Sequence, residues 1–378
     1  MENQIPPPLP PLNPQHAPTQ PPIFVAAQPQ RRGRGWMVLS LVLLGIIGVM
    51  MVGRMASFMM GGGRGLAGAQ SGRYFEEITV ENPGADHKIL VVPVEGMITS
   101  EPWDPAGRSM VDSIEDQLKR AAQDSDVKAV LLKVDSPGGE VLASDDISRA
   151  IIQFQDKHKK PVVAVMGGLA ASGGYYVSAP CDYIVANELT LTGSIGVIMS
   201  TFNYRGLMDK VGLAPKVFKS GKFKDMLRGS KTPEEIDPAE EKMIQDMIME
   251  TYGKFKSVVK NGRERAAAKN KANGKALVEN WEEYADGRIL TGKTAHELGF
   301  VDKLGNFQTA LDAARQLAGI SGNAHVIRYQ EPFTIGKLFG MGMSTKAKKS
   351  EGVKIDLGLD IPQVRAGRLY FLAPTVVN

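Results

Sequence analysis

Apolar positions between residues 88 and 320 fall into two alternating rhythms. Residues 88–94 (Lys-Ile-Leu-Val-Val-Pro-Val) are nearly continuous and read as a strand buried on both faces. Residues 109–123 place Met110, Val111, Ile114, Leu118 and Ala121 on one side of a helix. The same alternation predicts strands at 127–134, 161–165 and 182–186, and helices at 143–155 and from Tyr175 onward. Further on it predicts a short strand at 215–218 and helices at 237–260 and 281–298. Strands that alternate with helices predict an α/β fold with a parallel sheet and right-handed crossovers.

The ends of the chain break this texture. Residues 1–35 hold a proline-rich head, with ten of the 23 prolines in the first 30 residues, too little apolar surface to fold and a preference for extended polyproline II. Residues 36–53 are uncharged and strongly apolar. As a helix they span about 27 Å, close to the hydrocarbon thickness of a bilayer. Trp36 and Arg54 bracket the run as interfacial anchors, so it reads as an uncleaved membrane span rather than a cleaved leader. Arg31, Arg32 and Arg34 ahead of it lean towards an amino terminus on the cytoplasmic side. Residues 54–73 read as a flexible stalk and 74–322 as the globular domain. Residues 323–378 form a carboxyl-terminal extension that ends in the apolar stretch 368–374.

Composition narrows the chemistry. A net charge of +4 over 378 residues does not mark a nucleic-acid binder. The single cysteine, Cys181, excludes an intrachain disulfide and any multi-cysteine metal site, and its apolar flank reads as core.

Four segments sit where strands or loops end, the usual place for ligands on a parallel sheet. In Asp135-Ser136-Pro137-Gly138-Gly139 the proline fixes one φ and the glycines free backbone N–H groups to meet a ligand oxygen. That is an oxyanion hole or an ordinary tight turn. Ser172, in Ala170-Ala171-Ser172-Gly173-Gly174, is a nucleophile at a helix N-terminus or simply a helix cap. Ser194, in Leu191-Thr192-Gly193-Ser194-Ile195, serves either the site or its own turn. Lys219-Ser220-Gly221-Lys222-Phe223-Lys224-Asp225 is a solvated basic loop or the source of a base. None of the five histidines (His16, His87, His158, His296, His325) lies at a glycine-rich strand end. A serine nucleophile here therefore needs another base, and a lysine can serve once desolvation lowers its pKa.

Taken as an ordered series, these segments, with Ala285-Asp286-Gly287-Arg288 and Leu298-Gly299-Phe300-Val301-Asp302, resemble the S49 family of serine peptidases, the signal peptide peptidase type, over about residues 88–320. The resemblance implies a crotonase/Clp-protease-like fold of repeated ββα units. It implies Ser172 as nucleophile, Lys224 rather than Lys222 as general base, and Ser194 as the residue that orients the lysine. Backbone N–H groups at Gly138 and Gly139 would form the oxyanion hole. No cofactor or metal is implied. Further implications are peptide substrates left in the membrane, a ring-like homo-oligomer in which neighbouring protomers can share the Ser–Lys pair, and no nucleic acid. With the apolar span as lipid anchor, the expected location is the inner membrane with an extracytoplasmic catalytic domain. The proline-rich head, the loop 226–237 and residues 323–378 depart from the family pattern. An acyl-CoA enzyme of the same fold and a non-catalytic membrane scaffold are the rival readings. The apolar end at 369–377 is a further expectation, as a product-like peptide lying in the groove.

Overall fold

The computed structural model describes residues 42–46, 75–102, 107–270, 274–330 and 368–373. The chain divides into two units, 1–73 and 74–378. Of the expected span 36–53, only 42–46 are described, and they are helical; the head and stalk lie outside the described residues. Among the described residues no helix is long and apolar enough to cross a membrane.

The second unit is a mixed α/β structure. Its strands are β1 (Glu76–Glu81), β2 (Lys88–Glu95), β3 (Val127–Ser136), β4 (Gly138–Glu140), β5 (Val162–Ala171), β6 (Tyr183–Ala186), β7 (Leu191–Gly193), β8 (Ile289–Thr291), β9 (Lys303–Leu304), β10 (His325–Gln330) and β11 (Tyr370–Leu372). The main sheet runs β1-β10-β2-β3-β5-β6-β9, with β7 beside the end of β5 and β8 beside β7. The pairs from β10 through β9 are parallel. Alternate residues of each strand feed opposite cores. Leu90, Val92 and Val94 face a cluster with Ile114 and Ile147, whereas Ile89 and Val91 face Ala310, Leu311 and Ala314. Burial on both faces explains why these strands read as continuous apolar runs.

Helix Met110–Gln123 starts at a capping box in which Ser109 and Asp112 satisfy each other's backbone N–H groups. Helix Val141–His158 follows β4 directly. Several expectations change. The strand read at 161–165 continues to Ala171. Between Val134↔Met166 and Ser136↔Ala170 it bulges, Gly167 lies against Asp135, and Leu169 N donates to the Asp135 carboxylate at 3.1 Å. The helix read at 281–298 is a 3₁₀ turn, Trp281–Tyr284, then β8 and the short helix Gly292–Glu297. Gly287 at φ +93° ends any helix there. Residues 215–218 form no strand. The helix read at 237–260 runs longer, Pro238–Asn270. At the carboxyl end, β10 lies inside the main sheet between β1 and β2, and β11 pairs with β4.

Candidate active site

β5 and β7 end together, with Ala171 opposite Gly193. The next residue on each strand is a serine, and both take a left-handed backbone, Ser172 at φ +53° and Ser194 at φ +49°. Non-glycine residues avoid this region, so a surrounding structure must hold them there. The Ser172 N–H donates to Gly193 O at 2.8 Å, and its carbonyl accepts from Tyr176 N at 2.8 Å. The Ser194 N–H donates to Arg288 O at 2.7 Å.

Ser172 occupies the cap position of helix Gly173–Ser178, but its side chain makes no capping bond. Its Oγ is buried and has no hydrogen-bond partner among the described residues. A buried hydroxyl without a partner carries a desolvation cost that capping would have removed. The cap reading therefore accounts for the position of Ser172 and not for its hydroxyl.

The glycines of β4 lie against this turn. A Cβ on Gly138 would stand 2.7 Å from Gly173 N, and one on Gly173 would stand 3.0 Å from Gly139 N. The Gly138 N–H already donates to Ser136 Oγ at 3.1 Å, so it is not free to meet a ligand. Gly173, at the first position of its helix, has an N–H with no intrahelical acceptor. Sequence reasoning missed this donor, although its place directly after the serine is a usable signal.

Lys224 is not brought to Ser172. It lies in an exposed loop, residues 211–224 of which are almost entirely solvent-facing. The following residue, Asp225, is tied down. Its carboxylate meets Lys219 at 2.8 Å and the buried Lys231 at 3.4 Å, and Lys231 in turn bonds both Glu240 oxygens at 2.6 and 2.8 Å. Those carboxylates hold the Lys231 ammonium above its ordinary value against the desolvation that lowers it. Lys231 is thus a structural cation. Around the loop, Phe202, Leu207, Val211, Leu213 and Phe218 are exposed.

The described histidines lie elsewhere, at the end of a helix (His158), on helix Gly292–Glu297 (His296), before β2 (His87) and at the start of β10, where His325 bonds Thr79. His16 lies outside the described residues. Cys181 is fully buried, and burial pushes its thiol far up, as befits a core residue. In the core, the buried ion pair Arg263–Asp302, 2.5 Å, joins the long helix to β6 through the bond from Ile184 N to Asp302.

The groove at the β4 glycines is filled by the chain's own end. β11 runs antiparallel to β4, with Tyr370 opposite Glu140, Phe371 opposite Gly139 and Leu372 opposite Gly138. Its other edge meets Ile198, with which Tyr370 exchanges two backbone hydrogen bonds of 3.0 and 3.1 Å. The Phe371 ring is fully buried between Tyr176 and Phe255, with centroids 4.8 and 4.7 Å away. A Cβ on Gly138 would stand 2.0 Å from the Phe371 carbonyl oxygen, so only glycine lets that backbone in. This is strand addition, the way extended peptides dock on exposed β-edges.

Residues 154–321 match peptidase family S49. A putative signal peptide peptidase of Enterococcus faecium is 37% identical over 266 residues, covering 68% of this chain and 71% of that protein. A putative protease of Synechocystis is 41% identical over 201 residues, covering 53% of this chain and 67% of that protein. Protease 4 of Haemophilus influenzae is 33% identical over 238 residues, covering 63% of this chain and only 36% of that longer protein.

Proposed function

Because the chain belongs to peptidase family S49 and is a serine endopeptidase, we propose that Ser172 is its nucleophile and Lys224 its general base. The observation that carries this reading is the buried, unpartnered Ser172 Oγ, set in a left-handed turn beside the glycine strand where an extended peptide already lies. Neutral Lys224 takes the Ser172 proton as Oγ attacks the scissile carbonyl. The N–H groups of Gly139 and Gly173 hold the tetrahedral oxyanion, while Gly138 supplies the room for the peptide backbone. Protonated Lys224 gives its proton to the leaving amine. A water that the lysine deprotonates then attacks the acyl carbon and frees Ser172. Ser194, in the matching turn one strand over, orients the lysine.

A lysine base needs desolvation, and one chain leaves Lys224 exposed. The exposed Phe202, Leu207, Val211, Leu213 and Phe218 supply an apolar surface by which a neighbouring copy can cover the loop. The proposed working form is therefore a homo-oligomeric ring of crotonase/Clp-like subunits, with Ser172 and Lys224 from adjacent protomers. Residues 36–53 would anchor it in the inner membrane with the catalytic unit outside the cytoplasm. Its substrates are apolar peptides left in the bilayer, signal-peptide remnants included.

Labelling with a fluorophosphonate tests the assignment. Wild type is expected to take the label at Ser172, and Ser172→Ala and Lys224→Ala to lose it. Mixing the two inactive variants is expected to restore labelling through hybrid pairs. Full labelling or peptide cleavage in either variant alone overturns the dyad, and failure of the mixture overturns its sharing between protomers.

A further inference from the structure

We propose that Glu140 is a subsite for a cationic side chain, so that the groove selects extended peptides carrying Arg or Lys three residues ahead of a bulky apolar residue. The inference rests on the reading of the groove as the peptide site, and it adds what that site discriminates.

Glu140 follows the Gly138–Gly139 pair, and the residue is 7% exposed. A carboxylate so placed must find partners, because burying an unpaired charge is costly. One of its oxygens is provided for: Oε2 accepts from Ser100 Oγ at 2.6 Å and from Ser100 N at 3.1 Å. Those two bonds fix the carboxylate in one orientation. The other oxygen, Oε1, faces the incoming strand and accepts from the Arg368 guanidinium. Glu101 adds a second carboxylate 3.8 Å from the same guanidinium. The Ser100 bonds and Arg368 hold the Glu140 carboxyl below its ordinary range, against the burial that raises it, so it stays charged at neutral pH.

The register fixes what this carboxylate reads. Tyr370 lies opposite Glu140 and Phe371 opposite Gly139, so the cation stands three residues before the ring that fills the Tyr176–Phe255 pocket. The chain's own sequence there is Arg368-Leu369-Tyr370-Phe371-Leu372-Ala373. Residues 370–373 are buried, whereas the Arg368 side chain is 43% exposed. A cation that is half solvated yet drawn to an immobilised carboxylate suits recognition better than core packing. The peptide class that fits is an apolar run with a basic residue at its amino-terminal edge.

The test uses the full-length protein and internally quenched peptides containing Arg-Leu-Tyr-Phe-Leu-Ala, with the arginine kept or replaced by citrulline or glutamate. Citrulline preserves the shape and removes the charge. The chain's own end competes equally with every peptide, so the ratio of kcat/KM values is independent of it. Wild type is expected to cleave the arginine peptide about tenfold better than the citrulline peptide, the size expected for one charge-assisted hydrogen bond at a half-exposed site. The glutamate peptide should do worse still. Glu140→Gln, which keeps an acceptor for Ser100, should bring the arginine-to-citrulline ratio close to one. Equal cleavage of the arginine and citrulline peptides by wild type overturns the proposal, whether or not Glu140→Gln folds. Dissociation constants for the same peptides on Ser172→Ala give a readout free of chemistry. If wild type cuts no peptide, the peptidase assignment at Ser172 fails, while the binding ratio still decides the subsite.

Discussion

Phe371→Ala asks how tightly the chain's end holds the groove. The ring is fully buried and packs on Tyr176 and Phe255. Truncating such a phenylalanine costs about 3–5 kcal/mol. Residues 368–373 are attached through backbone bonds to Val141, Ile198 and Pro137. They pair with β4 in a two-stranded sheet apart from the main one, so the loss falls mainly on local docking rather than on global unfolding. A loss of about 4 kcal/mol multiplies the undocked fraction by roughly 10³. If the docked end competes with substrate, the apparent KM for a peptide carries a factor of one plus the docking constant. KM should then fall by about 10–10³-fold, bounded by the wild-type docking constant, with kcat little changed. Peptide hydrolysis gives both parameters, and amide exchange at 370–372 reports the docking directly. Faster exchange with an unchanged KM refutes competition between tail and substrate. Unchanged exchange refutes the packing argument itself.

Three further outcomes follow. Gly139→Ala drives a methyl to 1.9 Å from Ile98 O, so it should break the bonds Ile98 N to Gly138 O and Glu140 N to Ile98 O. About 1–3 kcal/mol of stability should go with them, and kcat should fall on the order of 10²-fold as the oxyanion donor moves; a wild-type melting temperature and kcat would exclude this geometry. Lys231→Met leaves Glu240 buried without its cation and removes one hold on Asp225, at a cost of about 1–3 kcal/mol that thermal melting should register, with a lower kcat as the Lys224 loop loosens. Lys224→Arg keeps the charge but cannot give up its proton to act as a base, so it should abolish hydrolysis with the melting temperature unchanged; hydrolysis at the wild-type rate speaks against a lysine base.

The parallel sheet was legible because strands buried on both faces leave unbroken apolar runs, as residues 88–94 and 127–134 do. The end of β5 was not. Gly-Gly-Leu-Ala-Ala has little strand propensity, and it extends because Asp135 on the neighbouring strand anchors the bulge and β7 pairs along its end. The helix expected at 281–298 failed at a single pair, Asp286-Gly287, where the carboxylate turns back onto Arg288 and the glycine goes left-handed. The glycine pair, Ser172 and Ser194 stood out in the sequence as strand ends, and the structure gathers them at one place. Which N–H groups are free was not legible, because the Ser136 hydroxyl claims that of Gly138. The burial of Lys231 was hidden too, since its partner Glu240 lies on the next helix and no local pattern announces the pair.

The two left-handed serines set a limit on how stable this protein can become. Each costs on the order of 1–2 kcal/mol relative to glycine, out of a net folding free energy of only about 5–15 kcal/mol. Ser172→Gly should raise the melting temperature while abolishing hydrolysis. Threonine at the same position, though it keeps a hydroxyl, should be tolerated poorly, because a β-branched side chain resists a positive φ. A stabilising screen that ignored activity would therefore be drawn to position 172, the proposed nucleophile.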